Sequence, residues 1–439
     1  MYPLRFHLMF SLFFPAAWRT LASPIYQYHH GSQATEAFAS RSYFYVGGEY
    51  ITISSNNTLF VNQMYVEHLV PSRVEQPYPI VFIHGQGMTG TVRTLLSSTL
   101  SHVLQSHAYL PKSKLKQNWL NKPDASPGWA TYFISHGYEI YILDQTARGR
   151  SAWNPSGNTT VQTYPAERIM QRFTATERYG LWPQAALHTQ WPGRTLGARQ
   201  NPEDSNLVDL TQQNGSIGDP IFDAFYASIV QFQSNTITQE TNMQTAGAAL
   251  LNKIGPAVLL SHSQGGLMPW VIADKVPELV KAIVSIEPTG PPFQDVFFPP
   301  TTPAAFTRAH GITDIPLQYE PGLRVGEVVE KVLVKNQGAG EGELEECWMQ
   351  IEPARQLSNL RGIKVLVETG EASYHRVYDG CTVEYLRQAG VWVEWMKLGE
   401  GREKRLSGNG HMQFLEENSD EIAGVLEGWI RSAVRGEDV

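Results

Sequence analysis

Short apolar runs alternate with longer amphipathic segments along most of the chain. The runs predict strands at Phe44 to Ile53, Thr58 to Val70, Pro79 to Ile83, Tyr138 to Leu143, Ala257 to Leu260, Ala282 to Ile286, Ile363 to Val367 and Val391 to Met396. The segments between them predict helices at Ile221 to Leu251, Leu267 to Val276, Thr382 to Gly390 and Glu417 to Ser432. This alternation indicates an α/β fold with a mostly parallel central sheet flanked by helices.

Two long stretches interrupt this alternation, at about residues 152–219 and 289–359. Both are rich in proline and aromatic residues, and the first contains Trp153, Trp182 and Trp191. Long irregular insertions in a compact domain are usually lids or binding loops. We therefore expect both stretches to cap the carboxyl edge of the sheet.

The amino-terminal residues have the pattern of a secretory signal. A basic start precedes an apolar run from Leu8 to Trp18, and small residues follow near Ala22. This pattern predicts a signal peptide over about residues 1–22 and a single domain over 23–439, in a secreted protein or one of the secretory pathway. The apolar run is too short for a comfortable membrane span, so we expect no stable span after signal cleavage; an uncleaved anchor is the alternative.

Two further features bear on the compartment. Three N-x-[ST] triplets begin at Asn56, Asn158 and Asn214, which is compatible with a secreted glycoprotein. The only two cysteines are Cys347 and Cys381. In an oxidising compartment they could form one disulfide, and the alternative is two free buried thiols.

The composition excludes some classes of protein. Hydrophobic residues make up 42% of the chain and charged residues 17%, which is typical of a globular protein and not of a disordered one. The formal net charge is −8, and there is no notable basic run, so nucleic acid is not an expected partner. The sequence implies no metal or organic cofactor.

The strongest chemical signal is the run Ala-Val-Leu-Leu-Ser-His-Ser-Gln-Gly-Gly at residues 257–266. It leads from an apolar strand through a tight turn into a predicted helix, which is the setting of a G-x-S-x-G nucleophile elbow. Ser261 stands where the first glycine is expected, so the match is S-x-S-x-G. The elbow predicts that the hydroxyl of Ser263 is exposed for attack on a carbonyl.

A second turn offers an oxyanion site. The run from His84 to Gly87, His-Gly-Gln-Gly, directly follows the predicted strand that ends at Ile83. Glycines let the backbone approach a developing oxyanion, which backbone N–H groups must stabilise. We expect these donors to be the amides of Gln86, or of a neighbour, and of Gln264. The alternative is a plain glycine-rich turn.

The base and the acid follow in chain order. His411 lies in Gly-Asn-Gly-His-Met, between the last predicted strand and the last helix, as the order Ser–acid–His requires. Two carboxylates could orient it. Glu287 ends the strand at 282–286, whereas Glu371 lies just beyond the next strand, which ends with Glu368. The residues alone leave this choice open.

A further turn after the fourth strand reads Asp-Gln-Thr-Ala-Arg-Gly-Arg-Ser, from Asp144 to Ser151. We interpret it as structural, with a salt bridge between Asp144 and Arg148 that holds the turn together.

Taken together, the motifs resemble a group of α/β-hydrolase-fold proteins that includes a bacterial esterase type and many secreted fungal homologues. The matching runs are Arg41-Ser-Tyr-Phe-Tyr-Val-Gly-Gly-Glu, Gln63-Met-Tyr-Val-Glu-His, Pro79-Ile-Val-Phe-Ile-His-Gly-Gln-Gly-Met-Thr-Gly, Asp144-Gln-Thr-Ala-Arg-Gly-Arg-Ser, Ser261-His-Ser-Gln-Gly-Gly, Glu287-Pro, Glu371-Ala-Ser-Tyr-His-Arg-Val-Tyr-Asp-Gly-Cys-Thr-Val and Gly408-Asn-Gly-His-Met. The resemblance implies a triad acid after the sixth strand. It therefore favours Glu287, with Ser263 and His411, over the runner-up Glu371.

The resemblance also identifies a third insertion. Between Thr91 and Trp129, at about residues 92–128, this chain carries sequence that the commoner relatives lack. Because it closely follows the turn with Gln86, we expect it to shape the entrance of the pocket.

These features predict a serine hydrolase that cleaves a small-molecule ester or lactone through an acyl-enzyme. The resemblance leaves two alternatives: a hydrolase or cyclase of fungal secondary metabolism that opens an epoxide or polyketide lactone, and a non-catalytic binding protein on the same fold. His411 must be neutral to act as a base, so activity should fall as the pH drops through an imidazole pKa of about 6.5.

Overall fold

The computed structural model describes residues 38–90, 119–124, 126–155, 160–193, 214–296 and 305–437. All of them belong to one compact unit, Glu36–Val439. The expected signal peptide over 1–22, most of the 92–128 insertion and the triplet at Asn158 lie outside the described residues.

A sheet of eight strands lies at the centre of this unit. Its strands are β1 (Phe38–Ser54), β2 (Asn57–Pro71), β3 (Ile80–Ile83), β4 (Ile140–Asp144), β5 (Ala257–His262), β6 (Val280–Ile286), β7 (Lys364–Thr369) and β8 (Val393–Lys397). Their order across the sheet is β1-β2-β4-β3-β5-β6-β7-β8. The pairs β1/β2 and β2/β4 are antiparallel, and all later pairs are parallel. The predicted α/β class is confirmed.

Seven α-helices accompany the strands in the described part of the chain. They are α1 (Trp129–Ser135), α2 (Ala166–Ile169), α3 (Pro220–Tyr226), α4 (Thr236–Ile254), α5 (Met268–Lys275), α6 (Asp379–Gln388) and α7 (Ser419–Arg435). A π-helical turn, Met170–Thr174, extends α2.

The predicted single helix from Ile221 to Leu251 is wrong in its centre. Helices α3 and α4 are separate, and the short strand Phe232–Gln233 lies between them. The side chain of Asn235 accepts a hydrogen bond from the N–H of Thr238 and so caps the start of α4. An N-cap residue requires non-helical backbone, so the helix cannot continue through this point.

Buried side chains form one apolar core on each face of the sheet. On one face, α4, α5 and α6 contribute Met243, Trp270, Val271 and Leu386, among others. On the other face, α1 and α7 pack together with aromatic residues of the 152–219 insertion. Two of its tryptophans, Trp182 and Trp191, are buried, so this insertion is part of the folded core.

The described part of the 289–359 insertion is also ordered by strand pairing. Strand Lys331–Lys335 pairs with Glu346–Gln350, and Tyr319–Glu320 pairs with Gln356–Leu357, both antiparallel. A disulfide joins Cys347 of the first pair to Cys381 in α6. Of the two states that the sequence left open, the structure therefore has the bridged one.

The structure also bears on two of the expected glycosylation sites and on a membrane span. Asn56 lies exposed in the turn between β1 and β2, whereas Asn214 is buried and hence inaccessible as placed. Among the helices that the structure describes, none combines the length and the apolar character that a membrane crossing requires.

Candidate active site

Ser263 occupies a strained turn between β5 and α5. Its φ angle is 56°, in the left-handed region that non-glycine residues rarely adopt, and it begins the 3₁₀-helix Ser263–Leu267. A Cβ at Gly265 would lie 2.4 Å from the carbonyl oxygen of His84, so backbone leaves no room for a side chain there. The turn therefore has the geometry of a nucleophile elbow.

Ser261 fits the first elbow position because its small side chain points into the sheet. Its Oγ lies 3.3 Å from the Oγ of Ser285 and 3.4 Å from the carbonyl oxygen of Val284, both on the neighbouring strand β6. A hydroxyl in this place has buried partners, so glycine is not required.

His411 is brought to the serine by the loop that follows β8. Its Nε2 lies 3.0 Å from Ser263 Oγ. Its Nδ1 contacts Oε2 of Glu287 in a short hydrogen bond. Three side chains that are far apart in the sequence thus form one continuous chain of hydrogen bonds.

Glu287 directly follows β6 and is completely buried. Besides His411, it accepts hydrogen bonds from the hydroxyl of Ser373 at 2.7 Å and from the N–H of Gly370 at 2.8 Å. Glu371 instead accepts the N–H of Gly408 at 2.7 Å, at the base of the His411 loop. Of the two candidate acids, Glu287 is the one that the structure brings to His411.

The two expected oxyanion residues both line the cavity above Ser263. Gln264 follows the serine at the amino end of the 3₁₀-helix, where backbone N–H groups have no partner within a helix. Its side chain donates to Gln239 Oε1 at 2.9 Å. The side chain of Gln86 accepts a short hydrogen bond from the hydroxyl of Tyr164. Both side chains are thus held by hydrogen-bond partners.

The predicted salt bridge between Asp144 and Arg148 is wrong. Asp144 pairs with Arg150, at 2.8 Å, and Arg148 turns away beneath the elbow. Ala147 and Gly149 have φ angles of 59° and 50°, which reverse the chain on either side of Arg148. As a result, alternate side chains of this turn point in opposite directions.

Arg148 is buried and connects the two turns of the site. It donates to the carbonyl oxygen of Gly85 at 3.1 Å, to Gln264 Oε1 at 3.0 Å and to Gln239 Oε1 at 2.7 Å. The sequence predicted that Arg148 belongs to a structural turn, but it did not show which residues the side chain contacts.

His84 stabilises the same region as a neutral ring. Its Nε2 accepts the N–H of Gln145 at 2.9 Å, and its Nδ1 donates to the carbonyl oxygen of Gly85 at 2.9 Å. Burial, followed by the positive charge of Arg148, lowers the pKa of His84 to about 3. The ring therefore serves as a fixed support for the turn and not as a base.

Two further histidines pack against His411. His262 donates from Nε2 to the carbonyl oxygen of His411 at 2.9 Å, and His375 stacks on the His411 ring with an interplanar angle of 3°. Burial lowers the pKa of His262 to about 3 and that of His375 to about 4. Sequence reasoning missed the role of His375, although the run from Glu371 to Val383 contained it.

Burial also governs the ionisation of the central pair. It lowers the pKa of His411 well below its ordinary value, and His262, His375 and Arg172 act in the same direction. Burial raises the pKa of Glu287, while His375 and the hydrogen bonds from Ser373 and Gly370 oppose that shift. Free His411 is therefore neutral, as a base must be.

Glu287, His375 and His411 each place a possible metal-ligand atom within 4.8 Å of the others. All three side chains already have hydrogen-bond partners, however. His375 binds Asp379 through Nδ1 and the hydroxyl of Tyr378 through Nε2. A metal would have to break these bonds, so the donor set fits a hydrogen-bonded cluster better than a metal centre.

The 152–219 insertion holds the His411 loop in place. His188 Nε2 lies 2.7 Å from Glu416 Oε1, and Glu416 accepts the N–H of Gly410 at 3.1 Å. Backbone bonds add to this, because the carbonyl oxygen of Gly408 accepts the N–H of Thr189 at 2.9 Å. Sequence reasoning missed this contact, since no motif links the insertion to the loop.

A cavity of about 250 Å³ opens above these residues. Its lining combines apolar and aromatic side chains, among them Met88, Phe173, Leu267 and Tyr374, with Ser263 and His411 at its base. Polar and charged side chains, among them Gln86, Arg168 and Arg172, complete the lining. A concave site that combines apolar surface with convergent polar groups is typical of a small-molecule binding site.

Comparison with known proteins agrees with this architecture. The chain is 41% identical over 405 residues, which cover 92% of it and 93% of its relative, to the probable secreted lipase phiG of Fungal sp. (strain ATCC 74256). A solved structure, that of a novel bacterial esterase, shares its fold with a TM-score of 0.50 at 20% identity, over 91% of this chain and 98% of that one. No family model matches the sequence. The chain belongs, with this fungal relative, to a family of esterase- and lipase-like α/β-hydrolases.

Proposed function

We propose that this hydrolase cleaves carboxylic esters, including cyclic ones, through an acyl-enzyme formed on Ser263. One observation carries the proposal. Ser263 Oγ lies 3.0 Å from His411 Nε2, and the other ring nitrogen of His411 is bonded to the buried Glu287. A nucleophile, a base within hydrogen-bond reach and a group that orients the base are the parts that acyl transfer requires.

In the first half-reaction, Ser263 Oγ attacks the acyl carbon while its proton moves to His411 Nε2. The carbonyl oxygen becomes negative, and the backbone N–H groups of Gln86 and Gln264 stabilise it. The intermediate then collapses: the ester C–O bond breaks, and His411 gives its proton to the departing alcohol oxygen.

In the second half-reaction, water replaces the alcohol. His411 takes a proton from the water, whose oxygen attacks the acyl carbon of the ester formed on Ser263. Collapse of this second intermediate breaks the bond to Ser263 Oγ and returns the proton to it, which releases a carboxylic acid. The overall reaction consumes one ester and one water.

Glu287 stabilises the imidazolium that exists between these proton transfers. Its contact with Nδ1 leaves the lone pair of Nε2 directed at Ser263, and its negative charge balances the charge that His411 gains. Because both groups are buried, water weakens this attraction little.

We also propose that the protein is secreted. The fungal relative carries the word secreted in its name, and Cys347 and Cys381 are bridged. Disulfides persist mainly in oxidising compartments, which agrees with export.

The test is turnover of 4-nitrophenyl butyrate together with labelling by a fluorophosphonate. We expect Ser263→Ala to lose both labelling and at least about 10³-fold of kcat, because no other group can form the acyl-enzyme. Ser55→Ala, at an exposed turn, is the matched control and should behave as the wild type. Ester turnover that survives Ser263→Ala would overturn the acyl-enzyme and favour water activated directly by His411.

A further inference from the structure

Two arginines line the cavity above Ser263 and come from one short segment. Arg168 lies in α2, and Arg172 lies one turn later in the π-helical stretch Met170–Thr174. Both belong to the lining of the cavity that contains Ser263 and His411. Their spacing of four residues places two guanidinium groups on one wall.

Aromatic rings hold these arginines in position. The guanidinium carbon of Arg168 lies 5.4 Å from the centre of the Tyr164 ring, and that of Arg172 lies 5.8 Å from the centre of the Tyr374 ring. Tyr374 in turn places its hydroxyl 3.5 Å from His411 Nε2. Arg172 is therefore one aromatic ring away from the reacting atoms.

Neither arginine forms an ion pair with a carboxylate in the part of the chain that the structure describes. The third arginine of the lining, Arg308, differs in this respect, because it pairs with Asp295 at 2.8 Å. Arg172 is also half-buried, and a charge that is partly removed from water without a counter-ion is unfavourable. Among the described residues, these two arginines thus give the wall a positive charge without a paired carboxylate, although the whole chain has a net charge of −8.

We infer that Arg168 and Arg172 select esters that carry a carboxylate. A guanidinium group binds a carboxylate through two parallel hydrogen bonds. The substrate carboxylate lies on this wall while the ester carbonyl reaches Ser263. This inference rests on the proposed ester hydrolysis, for which it names the substrate class.

The experiment compares two esters of the same length and shape. Monoethyl adipate carries a terminal carboxylate, and ethyl adipamate carries a neutral amide in its place. At low salt, where the charge contact is little screened, we expect kcat/KM for the acid to exceed that for the amide by at least about 10-fold. The preference should shrink in 0.5 M NaCl, since salt weakens partly exposed charge contacts. Equal values for the two esters in the wild type would overturn the inference.

The variants Arg168→Gln and Arg172→Gln should each lower the ratio of the two kcat/KM values, and the double variant should bring it to about 1. Arg405→Gln is the control, because Arg405 is exposed and its partner is Glu421, outside the cavity. An equal fall for both esters, with the ratio unchanged, would show that the arginines position Tyr374 and His411, and it would also overturn the inference.

Binding separates this inference from the proposed function. Ser263→Ala protein cannot form the acyl-enzyme, so calorimetry can measure the binding of both intact esters. We expect tighter binding of monoethyl adipate, with the difference lost in the double arginine variant. If no ester is hydrolysed by the wild type, the proposed function fails, and this binding difference alone decides whether the carboxylate site exists.

Discussion

Ser263 and Glu287 share an uncommon backbone conformation. Their φ angles are 56° and 48°, and each residue directly follows a parallel strand, β5 or β6. Such conformations cost about 1–3 kcal/mol each outside glycine, and they persist where the surrounding structure imposes them. Here they turn both side chains away from the ends of adjacent strands and toward His411. A backbone with an ordinary negative φ would direct the two side chains elsewhere.

At this scale, exchanging each candidate acid for its amide decides between them. Glu287→Gln should lower kcat by about 10²- to 10⁴-fold, because an amide neither fixes the useful tautomer of His411 nor balances its positive charge. Glu371→Gln should change kcat by less than about 3-fold, since its amide oxygen can still accept the N–H of Gly408. Steady-state kinetics with 4-nitrophenyl butyrate checks both. A larger loss in Glu371→Gln than in Glu287→Gln would contradict the assignment.

The acidic limb of the pH–rate profile should lie below the value that the sequence alone suggests. Burial lowers the pKa of His411, so its neutral form persists at pH values where an exposed imidazole would already be protonated. As the pH falls, kcat/KM should therefore remain constant through about 6.5 and decline only below it. A profile of kcat/KM from pH 4 to 8 measures this, and a half-maximum above pH 7 would be inconsistent with the buried site.

At the scale of elements, the insertion at 152–219 holds the His411 loop from outside the sheet. Apart from two short 3₁₀ turns, the loop with His411 has no regular structure, and the bonds of Glu416 with His188 and of Gly408 with Thr189 connect it to the insertion. Gly410 makes this packing possible, because a Cβ at that position would lie 2.7 Å from Nε2 of His188. The insertion and the loop therefore fold as one unit.

Removing this contact should reduce both stability and rate. His188→Leu deletes the bond to a fully buried Glu416, which should lower the free energy of unfolding by about 3 kcal/mol. The loosened loop should lower kcat by about 10- to 100-fold, since small displacements of a base are costly. Denaturant unfolding and ester kinetics measure the two effects. His136→Leu, at an exposed site on the end of α1, is the control. An equal loss in the control would contradict a specific role of the bond between His188 and Glu416.

For the whole molecule, the disulfide is the main covalent constraint in the described residues. Cys347 and Cys381 are 34 residues apart and join an inserted strand to α6. Closing a loop of that length stabilises a protein by about 4 kcal/mol in the chain-entropy model. The double variant Cys347→Ser/Cys381→Ser should therefore unfold at a lower temperature than the wild type, while reductant should lower only the wild-type Tm. A Tm that reductant leaves unchanged would contradict this.

The sequence predicted the centre of the sheet well because strands such as β3 and β4 are short, fully buried apolar runs, which are typical of parallel strands. It also predicted the neighbourhood of Ser263, since an elbow depends on local steric demands such as those at Gly265. It was wrong about Arg148, because the direction of that side chain depends on two consecutive reversals of the backbone. It could not reveal the contact of His188 with Glu416, which joins segments 228 residues apart through tertiary packing alone.

The π-helical turn Met170–Thr174 both contacts His411 and lines the cavity. Its Phe173 packs on His411 with ring centres 4.9 Å apart, and the adjacent Arg172 lines the cavity. A mutation on the side of this turn that lines the cavity should therefore also disturb His411. Divergence toward new substrates should for that reason start elsewhere in the lining, for example at Val296 and Thr307. The π-helical turn itself should tolerate few substitutions. Directed evolution that randomises the turn and the other lining residues in separate libraries tests this, and the library of the turn should contain fewer active variants.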